Sequence, residues 1–156
     1  MSILRNLALA ATSMAILGTS AAVAQDNFKF PLKARQGQMA IMAMNIGALG
    51  AMAKGEMEYD AEVAQAAADN LVAVSMIGQG ALWPEGSNGE AIEGSTAKET
   101  IGSDNADLLV KGGDFGTNAT ARAAGAGGGR DSLRPAMGGL GGTCKACHDK
   151  FRIPKE

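Results

Sequence analysis

Leu133-Arg134-Pro135-Ala136-Met137-Gly138-Gly139-Leu140-Gly141-Gly142-Thr143-Cys144-Lys145-Ala146-Cys147-His148-Asp149-Lys150-Phe151 carries two patterns at once. Leu133, Met137, Leu140, Cys144, Cys147 and Phe151 recur at steps of four and three, the repeat of a helical seam that faces the interior of a bundle. Inside that seam, Cys144-Lys145-Ala146-Cys147-His148 is a C-x-x-C-H motif, the pattern through which a c-type haem is attached. Two thiols three positions apart can each join one vinyl group of the porphyrin. The next residue can then place an imidazole nitrogen on the iron. The chain has two cysteines and one histidine, all within this pentapeptide, so no second site can draw on those residue types.

Three rival uses of the motif are weaker. A redox dithiol usually sits at the N-terminus of a helix that follows a strand, where the helix dipole lowers a thiol pKa. Here the motif lies near the end of a helical pattern. A structural zinc site asks for four ligands, and the motif offers three of the favoured types. A disulfide would leave His148 without a role.

The remaining chain is compatible with export. Arg5, an apolar run from Leu7 to Leu17 and the small-residue triplet Ala22-Val23-Ala24 read as a cleavable secretory signal over residues 1–24. The mature chain is then expected to be residues 25–156, one domain. The apolar run is shorter than the roughly 20 residues a membrane-spanning helix needs. Haem of this type is attached outside the cytoplasm, so the bacterial periplasm is the expected compartment. Fourteen basic residues face sixteen acidic ones, and removing Arg5 with the signal leaves 13 against 16. That mildly acidic balance argues against nucleic acid as a partner.

From Leu32 to Lys54 the seam Leu32, Arg35, Met39, Met42, Ile46, Leu49, Ala53 predicts a first helix, ended by Gly55 and preceded by an extended leader from Gln25 to Pro31. Asp60 is placed to cap a second helix that reaches about Gln79 with Ala64, Ala67, Leu71 and Val74 inward. Trp83 to Ser103 reads as a long loop in which a short helical turn can hide. A third helix is expected from about Asp104, with Leu108, Gly112, Phe115 and Ala119 on a weak apolar face. Gly125 to Gly129 reads as a flexible connector without the spacing of a phosphate loop. Asp131 is expected to cap the fourth helix, which Pro154 stops. The fold class is therefore all-α, an antiparallel four-helix bundle around covalent haem c.

The iron's second face needs a donor from another helix. Methionine suits it, and Met39, Met42, Met44, Met52 and Met57 are the candidates; most of them are expected simply to fill the core. Arg35 on an inward seam needs an anion, for which a haem propionate is the expected partner. Glycines 138, 139, 141 and 142 either admit a porphyrin against the backbone or break the helix.

These residues resemble the class II cytochromes c, which include cytochrome c′ and the low-spin cytochrome c-556 type. The stretches that carry the likeness are Gly141 to Arg152, with Phe151 where tyrosine is common, and Ala34-Arg35-Gln36-Gly37-Gln38-Met39. The resemblance implies thioether bonds at Cys144 and Cys147, His148 as the proximal ligand, and Arg35 and Gln36 against the haem edge. It implies that Met39 faces the distal side of the iron, and that Arg152 lies near the proximal pocket. The expected function is a periplasmic carrier of single electrons with His148 and Met39 on the iron, and not an enzyme. The alternative is a five-coordinate haem protein that binds nitric oxide or carbon monoxide. Redox proteins of the periplasm or inner membrane are the expected partners, with a homodimer as one assembly.

Overall fold

The computed structural model describes the backbone of residues 2–154 and the side chains of residues 27–154. The expected signal segment, residues 1–24, lies outside the residues with described side chains. The helices are α1 (Ser2–Lys54), α2 (Ala61–Ser75), the single turn α3 (Thr100–Ser103), α4 (Asn105–Ala123) and α5 (Arg130–Phe151). Among the described residues no strand occurs, and one isolated bridge pairs Ala97 with Arg152. Among the same residues no helix is long and apolar enough to cross a membrane.

The four long helices close a ring in which α1 packs on α2, α2 on α4, α4 on α5, and α5 on α1. Every neighbouring pair is antiparallel. Asn45 meets Asn70 and Gln38 meets Val74 across the first pair. Gln65 reaches Ala123 while Ser75 meets Gly116 across the second. Lys150 bonds Asp107 while Gly139 meets Asn118 across the third. Arg134 reaches Ala53 while Met137 meets Gly50 across the fourth. The expected four-helix bundle is the architecture.

The expected inward residues form the core. Leu49, Met52, Leu71, Phe115, Leu133 and Leu140 are buried with the small Ala64, Ala67, Ala68 and Ala119 between them. Gly55 ends α1 in a left-handed conformation, φ +82°. Its N–H donates to the Met52 carbonyl and that of Glu56 to the Ala51 carbonyl, which closes the helix as a Schellman motif. Asp60 caps α2 by accepting from the Val63 N–H at 2.9 Å.

Four expectations are corrected. The described residues before Leu32 are already helical, and Pro31 lies inside α1. An interior proline costs a helix ~3 kcal/mol. Here Phe28 and Leu32 stand beside Gly86 and Gly94, so the long loop borders this end of α1. α2 ends at Ser75, short of Gln79, because Gly78 and Gly80 flank a turn in which Gln79 accepts from Trp83 Nε1 at 3.1 Å. The N-cap of α5 is Gly129, with φ +116°, and Asp131 instead sits in the first turn, where its carboxylate opposes the positive helix end. The glycine-rich connector is not loose. It forms a 3-10 turn, Ala126–Gly128, held by the Tyr59 hydroxyl, which donates to the Ala126 carbonyl and accepts from the Gly129 N–H, both at 2.9 Å.

The helical turn expected inside the long loop is α3. The glycine-bearing third helix holds for 19 residues. Gly116 in it permits close approach to Ser75, whose Oγ would stand 3.2 Å from an added Cβ.

Tyr59→Phe removes one hydroxyl that satisfies two backbone groups. It should lower unfolding stability by ~1–3 kcal/mol, read as a drop in the urea midpoint with the helical content of the native protein retained.

Candidate functional site

The C-x-x-C-H motif occupies the last two turns of α5, and the helix runs unbroken through the glycines that precede it. Gly139 lies under the side chains of α4, where an added Cβ would lie 2.9 Å from Asn118 Oδ1 and 3.2 Å from Arg122 Nη2 and would push those side-chain ends aside. Gly138, Gly141 and Gly142 have nothing within 4 Å of that position, so they leave open space beside the motif.

The two thiols lie on one face of α5 but enter different apolar groups. Cys144 packs against the main core with Met42, Ile46 and Met137. Cys147 packs with Trp83 against a second cluster made of Ala97, Ile101, Leu108 and Phe151. His148 is exposed at the next position.

The long loop is joined to this end of α5. The Lys98 N–H donates to the Phe151 carbonyl and that of Ile153 to the Thr96 carbonyl, both at 2.8 Å. Gly89 makes this junction possible, because a Cβ there would meet the Ser95 carbonyl at 2.6 Å and Ile153 Cδ1 at 2.7 Å. On the other side, Lys150 Nζ donates to Asp104 and, at 2.8 Å, to Asp107 of α4. Lys111 adds an ion pair to Asp107 at 3.5 Å.

Arg35 meets the same loop from α1. It is 3% exposed, so its head does not reach water. Nη1 donates to Ser87 Oγ at 2.7 Å, and Nη2 donates to the Ser87 carbonyl at 2.5 Å and to Ser95 Oγ at 2.8 Å. Its guanidinium carbon lies 4.8 Å from the centre of the Trp83 ring. Arg35 forms no ion pair among the described residues, and burial lowers its pKa from the ordinary value. Gln36 is exposed and donates from Nε2 to the Gly94 carbonyl at 3.0 Å. Met39, one turn beyond Arg35, is half-buried and belongs to neither apolar cluster. Met42 and Met52 serve the core, and Met44 and Met57 are exposed.

The structure thus brings Arg35 and Gln36 onto the loop. Through Trp83 it sets Arg35 and Cys147 around one apolar wall. Trp83, Ser87 and Ser95 were not expected from the sequence. Trp83 is the chain's single tryptophan in a polar loop, and that was the one available signal.

The residues present fit a covalent haem. Both cysteines are free and half-buried, three positions apart on one helical face. Burial pushes both thiols up from their ordinary pKa, against a smaller lowering by Thr143 at Cys144 and by Lys111 at Cys147. A redox dithiol needs the opposite shift. Desolvation of its partly covered ring and then Arg152 lower the His148 pKa, which favours the neutral imidazole that binds a metal. Among the described residues no group of three His, Cys, Asp or Glu is placed to hold a metal ion.

Known proteins resemble this chain over most of its length. The family model described as Cytochrome C′ matches residues 31–152. A cytochrome c′ of Cereibacter sphaeroides is 40% identical over 94% of this chain and 97% of its own length. A cytochrome c-554 of Cereibacter sphaeroides is 40% identical over 78% of this chain and 91% of its own length. A solved structure, cytochrome c′ from Rhodobacter Spheriodes, superposes with a TM-score of 0.78 at 38% identity, covering 82% of this chain and 98% of that one.

Two outcomes follow. Protein matured with the c-type attachment machinery should keep its haem absorbance through denaturation and acid-acetone extraction, and Cys144→Ala/Cys147→Ala should lose it. The Asp107 carboxyl is held below its usual pKa, first by the Lys150 hydrogen bond, against the opposing effect of burial. A depressed carboxylate stabilises the fold above its unfolded pKa of about 4 and loses that contribution as pH falls through the folded value. Asp107→Asn should therefore flatten the decline of the melting temperature on the acid side of about pH 4 and leave the neutral range with less salt-sensitive stability.

Proposed function

Because the chain belongs to the cytochrome c′ family, we propose that it is an exported haem protein that binds a small diatomic gas, nitric oxide or carbon monoxide, opposite His148. Its cofactor is one haem c joined covalently through Cys144 and Cys147. Bound haem would supply an iron centre that changes by one electron and can bind such a gas. His148 supplies the proximal nitrogen. Met39 guards the opposite side with an unbranched apolar side chain that excludes water and larger ligands. Arg35 and Gln36 hold the edge of the macrocycle, and because the Nη groups of Arg35 are taken up by neutral loop acceptors, its charge faces the haem without a propionate ion pair of the kind expected from the sequence.

The near full-length likeness to a cytochrome c′ carries this reading. It takes precedence over the His148/Met39 electron carrier expected from the sequence. That carrier remains the second reading, and one observation favours it: a half-buried methionine one turn from Arg35 that no apolar cluster uses. In either case the protein carries haem and does not transform a substrate. We place the cleavable signal at residues 1–24 and the haem domain at residues 25–156. The compartment is the bacterial periplasm. The partners are redox proteins there or at the inner membrane, and a homodimer is the assembly we propose.

The oxidised absorption spectrum tests the choice. The gas-binding reading expects a high-spin spectrum that Met39→Ala leaves unchanged, with a new Soret band on adding nitric oxide or carbon monoxide to the reduced protein. A low-spin spectrum with a far-red sulfur-to-iron band that disappears in Met39→Ala would overturn it in favour of the electron carrier.

A further inference from the structure

We propose that Ser87 is a positioning residue for the Arg35 cation, so that the long loop presents one fixed, buried positive charge to the haem beside Cys147. The inference rests on the haem reading above and adds a determinant of the haem's reduction potential.

Ser87 is 1% exposed, within a loop of mostly polar composition. Both of its oxygens are committed. Its Oγ accepts from Arg35 Nη1 at 2.7 Å and donates to the Pro84 carbonyl at 2.6 Å. Its carbonyl accepts from Arg35 Nη2 and, at 3.1 Å, from Ser95 Oγ. Ser95 Oγ in turn accepts from Arg35 Nη2 at 2.8 Å. Both Nη nitrogens therefore have partners, and the plane of the guanidinium is set by the loop, not by its own flexible stem.

The second observation is where this places the charge. Arg35 lies over Trp83, and Trp83 packs on the same apolar cluster as Cys147. The thiol that would join the porphyrin and the buried cation thus share one wall. The acceptors around Arg35 are all neutral: two hydroxyls and two carbonyls, the second carbonyl being that of Leu82 at 3.4 Å. Neutral acceptors satisfy the N–H groups but leave the net charge uncancelled. An arginine does not lose its proton at working pH. An uncancelled charge in an apolar setting acts over a longer range than one in water. Its effect on a redox centre has a definite sign. The oxidised haem carries one more positive charge than the reduced haem, so a fixed cation favours the reduced form and raises the midpoint potential. A cation released to sample water would act less.

The experiment measures the midpoint potential of the holoprotein for wild type, Arg35→Gln, Ser87→Ala and Ser87→Thr, with hydrogen exchange of the loop amides in each. The proposal expects lower potentials for Arg35→Gln and Ser87→Ala, and a potential near wild type for Ser87→Thr, which keeps the hydroxyl. If Arg35→Gln leaves the potential at the wild-type value, the charge does not act on the haem and the proposal is overturned. If Ser87→Ala speeds loop exchange while its potential stays at wild type, Ser87 only orders the loop and the proposal is likewise overturned. Should Ser87→Ala fail to fold, Ser95→Ala removes a less buried member of the same knot, and its potential is expected to fall too; a wild-type potential there overturns the proposal. A wild-type chain that carries no covalent haem overturns the functional reading and this inference together, whereas a normal holoprotein with a potential indifferent to Ser87 overturns this inference alone.

Discussion

A guanidinium removed from water must find acceptors for its N–H groups, and at Arg35 that requirement shapes much of the molecule. The helix α1 offers none of its own, because its carbonyls are used along the helix. The acceptors come from the long loop between α2 and α3, which wraps the cation with Ser87, Ser95 and the Leu82 carbonyl. A segment with few apolar residues thereby acquires a buried centre. Leaving a buried donor unmade costs ~1–3 kcal/mol, more for a charged group, so the loop and the arginine hold each other in place.

The loop then does a second thing. Past Ser95 it pairs with the end of α5 through Thr96, Lys98 and the Ala97–Arg152 bridge. The residues that should carry haem are consequently held from three directions: by the loop, by the Asp104 and Asp107 carboxylates on Lys150, and by the main core behind Cys144. The i, i+3 spacing of the thiols lets one helix feed both apolar clusters, Cys144 into one and Cys147 into the other. A covalent cofactor between them would tie the two clusters together.

Much of this was legible in residue order. The seam of α5, the stripe of α2, the Gly55 stop and the Asp60 cap depend on spacing within a few residues, and each appears where the pattern placed it. The departures share a cause. The local propensities of Pro31 and of the Gly125 to Gly129 run disfavour helix at one and order at the other. Residues distant in the chain stand at both: the loop beside Phe28 and Leu32, and Tyr59 against the connector. Asp131 was a sound capping residue, displaced because Gly129 alone can adopt the φ of +116° that the incoming connector imposes.

What the amino-acid sequence determined by itself was the chemistry and the class of fold. The only cysteines and the only histidine of the chain form one C-x-x-C-H motif, and a period of three and four residues puts that motif on the inner face of a helix. Spacing suffices there because covalent attachment and helical periodicity are both short-range. Tertiary structure decided the surroundings of the haem-binding helix. Ser87 and Ser95 lie 52 and 60 residues from Arg35, and no local pattern in a polar loop marks them as its partners. They become so only when α1 is folded against the loop, because a buried charge selects whichever acceptors the packed chain brings within hydrogen-bonding distance.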